Sequence, residues 1–377
     1  MHLIRQKYVL IPVFLAMVVP SAVLRSQASQ NFDVTLQVDY SAAEQLVDFF
    51  DRRISDTRQV AGSPGNKIAA ATSLLLARTD RPPSDFTSQL ELVRDDVNIH
   101  GDIYGLKDAS SHTDQLKKLL TELRKRQLGK RVIATVQAYF PSDANVTCTI
   151  PVYVVAMGNE KAAAFVRWVV WRDEYPVFVA EGRGEQVIVL NLTRMIPVSS
   201  NVNAEFIESL GTLAHECFHA IFGVYQQGSE TWRSFHRRTE PIGRLAELVQ
   251  NEGIAYCLSL QLQIGGQAPP PHWFDATGRA IRNLSNACTE LLSPSTDARR
   301  AQELILNANM SGSFEGNYGA SAGLRIAYEI DTRLGRPALT ETIKGGTAEF
   351  FRKYETLCNQ NPTLPAIDSA VLKILEQ

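Results

Sequence analysis

The sequence has few cysteines, almost no net charge and, beyond its first thirty residues, no long apolar run. Its five cysteines, Cys148, Cys217, Cys257, Cys288 and Cys358, fall in no spaced pattern, which excludes a zinc knuckle or a small disulfide scaffold. An odd number leaves at least one thiol unpaired, and Cys288 with Cys358 is the pair expected to bridge if the compartment is oxidising. A formal charge of −2 over 377 residues gives no broad basic face for nucleic acid. Internal repeats and low-complexity tracts are absent, and so is any ordered nucleophile, base and orienter of a serine or cysteine hydrolase.

The one long apolar stretch, residues 8–24, follows Arg5 and Lys7 and precedes Ser26-Gln27-Ala28. This is the pattern of an export signal cleaved at its small-residue site. The rival reading is an uncleaved membrane anchor, which Pro12 and Pro20 disfavour. The remaining chain is expected to be secreted or periplasmic, without stable membrane insertion after cleavage. Its oligomeric state stays open.

Residues 210–222 contain His215-Glu216-Cys217-Phe218-His219. Two histidines four apart on a helix share one face about one turn apart, so both imidazoles can reach one metal ion. Glu216 then projects beside the metal, where a carboxylate can take a proton from a water. Phe206, Leu210, Leu213, Ala214, Cys217, Phe218 and Ile221 recur at three and four and predict a mostly buried helix, with Asn203 as its cap and Gly223 as its stop. Cys217 lies off the metal-facing side and reads as a small core residue.

Catalytic zinc normally takes three protein ligands and leaves the fourth position open. In residues 244–258 a helical reading puts Leu245, Leu248, Val249, Ala255 and Tyr256 on one stripe with Glu252 in its middle. Glu247 shares its face with Arg244, Gln250 and Asn251, which suits a solvated glutamate. The spacing selects Glu252 as third ligand, and Gly253 beside it lets another backbone come close. An acid paired with a buried arginine is the alternative reading of Glu252. His236, inside a basic and aromatic stretch with Trp232, Arg233, Phe235, Arg237 and Arg238, is a fourth candidate ligand; the stretch itself reads as a surface loop or cleft rim.

With Asn251-Glu252-Gly253-Ile254-Ala255 downstream of His215-Glu216-Cys217-Phe218-His219, the sequence resembles the gluzincin metallopeptidases. It is most similar to bacterial families described as zinc-dependent peptidases. The resemblance covers about residues 132–354 in architecture, while its motifs occupy only 210–258. It implies His215, His219 and Glu252 as Zn2+ ligands, Glu216 as general base and peptides or proteins as substrates. The spacer between His219 and Glu252 is longer than in the thermolysin-like and aminopeptidase branches, so their substrate preferences do not carry over.

The fold class expected is α+β, a zincin-like catalytic lobe flanked by helical regions. The expected division is a signal at 1–28, an N-terminal helical region at 29–130, the catalytic lobe at 131–264 and a C-terminal helical region at 265–377. Strands are expected at 132–140, 150–156, 177–180 and 186–192, with 162–171 readable either way. The strand at 186–192 is expected to border the cleft by edge pairing with a peptide, or else to be an ordinary internal strand. A helix from Tyr318 to about Leu334 is expected to offer the Tyr318 hydroxyl to the developing oxyanion, with Tyr256, Tyr328 and His272 as alternatives. His100 and His112 read as exposed or loop residues. The functional alternative to a peptidase is a non-catalytic zinc-binding module serving as a scaffold.

Overall fold

The structure, a computed structural model, describes residues 32–95, 97, 101–157, 163–196, 201–237, 240–309 and 317–376. The expected export segment and His100 lie outside them. The architecture is α+β, mostly helical around one five-stranded mixed sheet. Among the described residues no helix is long and apolar enough to cross a membrane.

The strands are β1 (Phe32–Asp39), β2 (Val146–Val155), β3 (Ala164–Arg172), β4 (Tyr175–Phe178) and β5 (Glu185–Asn191), in the order β1-β2-β5-β3-β4. β1, β2 and β5 run parallel, while β3 lies antiparallel to both β5 and β4. Two expectations are corrected here. The N-terminal region is not wholly helical, because β1 alternates half-buried and exposed side chains and pairs along its length with β2. Residues 132–140 are not a strand: Leu128, Val132 and Val136 are buried at a spacing of four on the helix Leu128–Gln137, a period that suits a helix and not a sheet. A third correction concerns β5, which lies inside the sheet between β2 and β3. Its run from Val187 to Asn191 is buried throughout, as a strand covered on both faces requires, so its edge is not open to a peptide.

The motif helix, Val202–Gly228, runs for 27 residues. Its cap is Asn201, whose side chain accepts from the Asn203 amide, two residues ahead of the expected position. Gly223 does not stop it, since a glycine inside a well-packed helix costs only about 1 kcal/mol. Phe206, Leu213, Ala214, Cys217, Phe218, Ile221 and Phe222 are fully buried beneath the sheet and the helices Thr113–Lys125 and Leu128–Gln137. Each large apolar side chain there contributes roughly 1.5–3 kcal/mol.

A second long helix, Pro241–Ile264, begins on a proline and ends at Gly265 in the left-handed region with φ +57°, the usual pairing of an N1 proline with a C′ glycine. This glutamate helix crosses the helix Tyr318–Arg333 at two glycines. A Cβ on Gly253 would stand 2.3 Å from the Gly323 carbonyl carbon, and one on Gly323 would stand 1.9 Å from the Val249 oxygen. The backbones therefore touch where Glu252 is placed.

On the far side of that crossing Arg325 and Glu329 form a buried ion pair at 2.8 Å, joined by Arg333. The Arg325 guanidinium also lies 4.6 Å from the Phe274 ring and donates to Thr277. All five cysteines are free thiols, so Cys288 and Cys358 do not bridge.

Candidate metal centre

His215 and His219 stand one turn apart on the motif helix, and Glu252 meets them from the glutamate helix. The two Nε2 atoms are 3.0 Å apart, and Glu252 Oε2 lies 3.6 Å from each. Around a tetrahedral zinc with bonds near 2.0–2.1 Å, neighbouring donor atoms stand roughly 3.3 Å apart. The three donors thus already lie at the separations such an ion imposes, and their side chains are only 13%, 19% and 13% exposed.

Hydrogen bonds orient two of the three donors. Nδ1–H of His219 donates to Asn251 Oδ1 at 2.8 Å, which leaves Nε2 for a metal. Asn309, at the end of the helix Ala298–Asn309, donates from Nδ2 to Glu252 Oε1 at 2.8 Å and leaves Oε2 turned to the histidines.

Charge is divided unevenly among the three donors. Burial and the neighbouring His219 push His215 down to about 3, so it stays neutral and keeps its lone pair. For His219 burial works the other way from Glu252, and the carboxylate prevails, holding the imidazole up at about 9. Glu252 is opposed by burial, yet His219 and His215 bring it down to about 2. His219 is thereby protonated, with Nδ1–H bonded to Asn251 and Nε2–H directed at the neutral His215 3.0 Å away.

Burial raises the Glu216 carboxyl above the usual range. Tyr256 lies one turn beyond Glu252, its ring centroid 4.4 Å from that of His215. Burial and the charges of Glu252 and Glu216 hold its phenol up at about 12. The side chain is nonetheless exposed to solvent, and its hydroxyl has no partner among the described residues.

Tyr318 does not serve as expected. Its ring is buried and its hydroxyl donates to the Leu304 carbonyl at 2.6 Å, so the group is spent on helix packing. His236 does not join the metal cluster either. Its Nε2 lies 2.8 Å from Glu247 Oε1, which also accepts from Gln226. The stretch around it is the helix Glu230–His236, with Trp232 fully buried and donating to the Ile343 carbonyl. That aromatic is structural, and no base can stack on it.

Asn251 and Asn309 are contacts that sequence reasoning missed. Asn251 adjoins Glu252, and a polar residue one turn-step from a ligand is a usable signal for an orienting partner. Asn309 carries no signal, because its place is set by the chain fold alone.

Two imidazoles and one carboxylate, with His219 and Glu252 held by further hydrogen bonds, define a metal-binding α+β protein whose donor set suits zinc. The chain belongs to a zinc-dependent peptidase family: the family model described as "Putative zinc dependent peptidase (DUF5700)" matches residues 58–363. No curated protein and no solved structure matches the chain. The family is zinc-dependent, and His215, His219 and Glu252 can hold that zinc.

Proposed function

We propose that this chain is a gluzincin-like peptidase in which Glu216 is the general base and Tyr256 the hydroxyl donor to the developing oxyanion. The supporting observation is the juxtaposition of His215, His219 and Glu252 with Glu216 on the same helix and Tyr256 beside them. The order of a sheet, the motif helix and a second helix bearing the glutamate is also that of a zincin lobe.

When bound, zinc supplies Lewis acidity that acidifies a water and polarises a peptide carbonyl. Glu216 accepts the proton of the attacking water. Its raised affinity for a proton, caused by burial, suits a base operating near neutral pH. The same carboxyl then hands the proton to the leaving amine. Tyr256, with its phenol held protonated, donates a hydrogen bond where negative charge develops on the former carbonyl oxygen. Asn251 and Asn309 keep the ligands in place throughout.

The deciding experiment measures metal by mass spectrometry and turnover on a peptide library, for the wild type and for Glu216→Gln, Glu252→Ala and Glu247→Ala. The reading requires one zinc per chain in the wild type, kept in Glu216→Gln and Glu247→Ala and lost or weakened in Glu252→Ala. Hydrolysis should disappear in Glu216→Gln. Stoichiometric zinc without any turnover in the wild type would favour the scaffold alternative. Export through residues 1–28 belongs to the same reading, and the N-terminal mass of protein recovered outside the cytoplasm, expected to begin at Ser29, tests it.

A further inference from the structure

Between residues 208 and 219 the motif helix is buried everywhere except at Glu208, Thr212, His215, Glu216 and His219. These positions form one stripe, because steps of three and four return to the same side of a helix. Glu208 therefore opens on the side that carries the metal donors, just short of two turns before His215 and about 10 Å from it along the axis.

The glutamate helix runs antiparallel along this stripe and meets it in successive rungs. Glu252 reaches His215 and His219, and the Tyr256 ring lies against that of His215. Further along, Ser259 Oγ donates to the Gly211 carbonyl at 2.9 Å, and Gln263 Nε2 donates to Glu208 Oε2 at 2.8 Å. One seam between two helices thus holds the metal donors at one point and an acid paired with an amide two rungs away.

That pair is left with acceptors to spare. Glu208 forms no ion pair with any described cation, and neither Glu208 Oε1 nor the Gln263 carbonyl oxygen has a partner among the described residues. Burial raises the Glu208 carboxyl, and the Gln263 amide offsets part of that. A half-buried carboxylate is costly without a countercharge. Two acceptor oxygens side by side suit the several N–H donors of an ammonium or a guanidinium.

We propose that Glu208 and Gln263 form a subsite for a cationic nitrogen of the substrate, about three residues of extended chain from the scissile bond. The shared chemistry is a protonated nitrogen, supplied either by a Lys or Arg side chain or by the free α-amine of the peptide. The inference rests on the peptidase reading and adds to it a substrate class.

The test reads, by mass spectrometry, the cuts that the zinc-loaded wild type makes in a random peptide library, once with free and once with acetylated N-termini. Lys and Arg enriched about three residues from the cut in both libraries identify a side chain. Cuts at about the third bond from a free N-terminus, lost on acetylation, identify the amine. Between matched peptides that differ only in carrying or lacking the cation, kcat/KM should differ roughly tenfold, the lower end for a hydrogen bond to a charged group because the carboxyl is partly open to water. Glu208→Gln should erase the preference with zinc retained, and Glu208→Lys should reverse it toward Asp or Glu at the same place. A merely structural role for Glu208 would lower turnover of all peptides alike and could not reverse the charge preferred. Should Glu208→Lys fail to fold by circular dichroism, the near-isosteric Glu208→Gln decides. Turnover without a cation preference, or a preference that survives Glu208→Gln, overturns the proposal and leaves the peptidase reading standing. No turnover by the zinc-loaded wild type overturns both.

Discussion

His219 has two hydrogen-bonding duties before any metal arrives, and they set how the site answers to pH. In the metal-free protein it holds its proton up to about pH 9, whereas His215 is already neutral above about 3 and Glu252 ionised above about 2. A metal needs the Nε2 lone pair, so zinc uptake at pH 7.5 should release about one proton, supplied by His219. Apparent zinc affinity should climb about tenfold per pH unit up to about pH 9 and level off above it. Calorimetric titrations in buffers of different ionisation enthalpy count the proton; uptake with none released would contradict the charge distribution. Asn251→Ala should weaken zinc roughly 10–100-fold by competition with a chelator, and Asn251→Asp should restore much of it. The two tyrosines separate catalysis from packing. Tyr256→Phe should lower kcat by roughly 100-fold or more with KM little changed. Tyr318→Phe should leave kcat alone and lose about 1 kcal/mol of stability, because its hydroxyl bonds Leu304. His215 and His219, which the structure brings together with Glu252, were legible because a metal imposes spacing on sequence. Glu252 was legible because an acid interrupts an apolar stripe. The engagement of the Tyr318 hydroxyl with the Leu304 carbonyl was not, since nothing local distinguishes a hydroxyl donating to a backbone carbonyl from one left facing solvent.

The crossing of the glutamate helix with Tyr318–Arg333 depends on having no side chain at either Gly253 or Gly323. Ala at either position must push the helices apart, because its Cβ would fall well inside contact distance of backbone that cannot swing away. Overpacking costs about 1–3 kcal/mol or more, so Gly253→Ala should lower the melting temperature and, by displacing the neighbouring Glu252, weaken zinc. Gly223→Ala is the control. It sits in the motif helix with nothing within 4 Å of the added carbon, and it should be neutral or stabilise by up to about 1 kcal/mol. Equal melting temperatures for the two variants would remove the argument. Close approach at Gly253 was readable from its place beside an acid on an apolar stripe. Helix ends were less so, as Asn201 and Gly223 illustrate: a cap depends on which asparagine turns back, and a glycine stops a helix only where packing does not carry it on. β1 shows the opposite failure. Phe32, Val34, Leu36 and Val38 alternate with Asp33, Thr35, Gln37 and Asp39, a plain strand period, but the helical periods that follow it mask so short a signal. In 128–137 β-branched Val132, Ile133 and Val136 suggest a strand, and only their spacing relative to Leu128 shows the helix.

At the scale of the whole molecule the family match begins at residue 58, yet the sheet begins with β1 at Phe32. A chain starting at Ser41 would keep every candidate site residue and lose this strand, exposing the edge of β2 to any other extended segment. It should be recovered mainly as aggregate, which light scattering after refolding would reveal; a soluble monomer with native zinc content would show β1 to be dispensable. The parallel pairing of β1 with β2 also has a bearing on time. More than a hundred residues and seven helices separate the two strands, and chains are made at roughly 5–20 residues per second. The first strand therefore exists for roughly 5–25 s before β2, its neighbour among the described residues, has been synthesised. Pairings between such distant segments form late because a long loop must close first. The sheet under the metal centre has at its edge the earliest-made described part of the chain, and a growing chain cannot assemble that five-stranded sheet until β5 has been made, at Asn191.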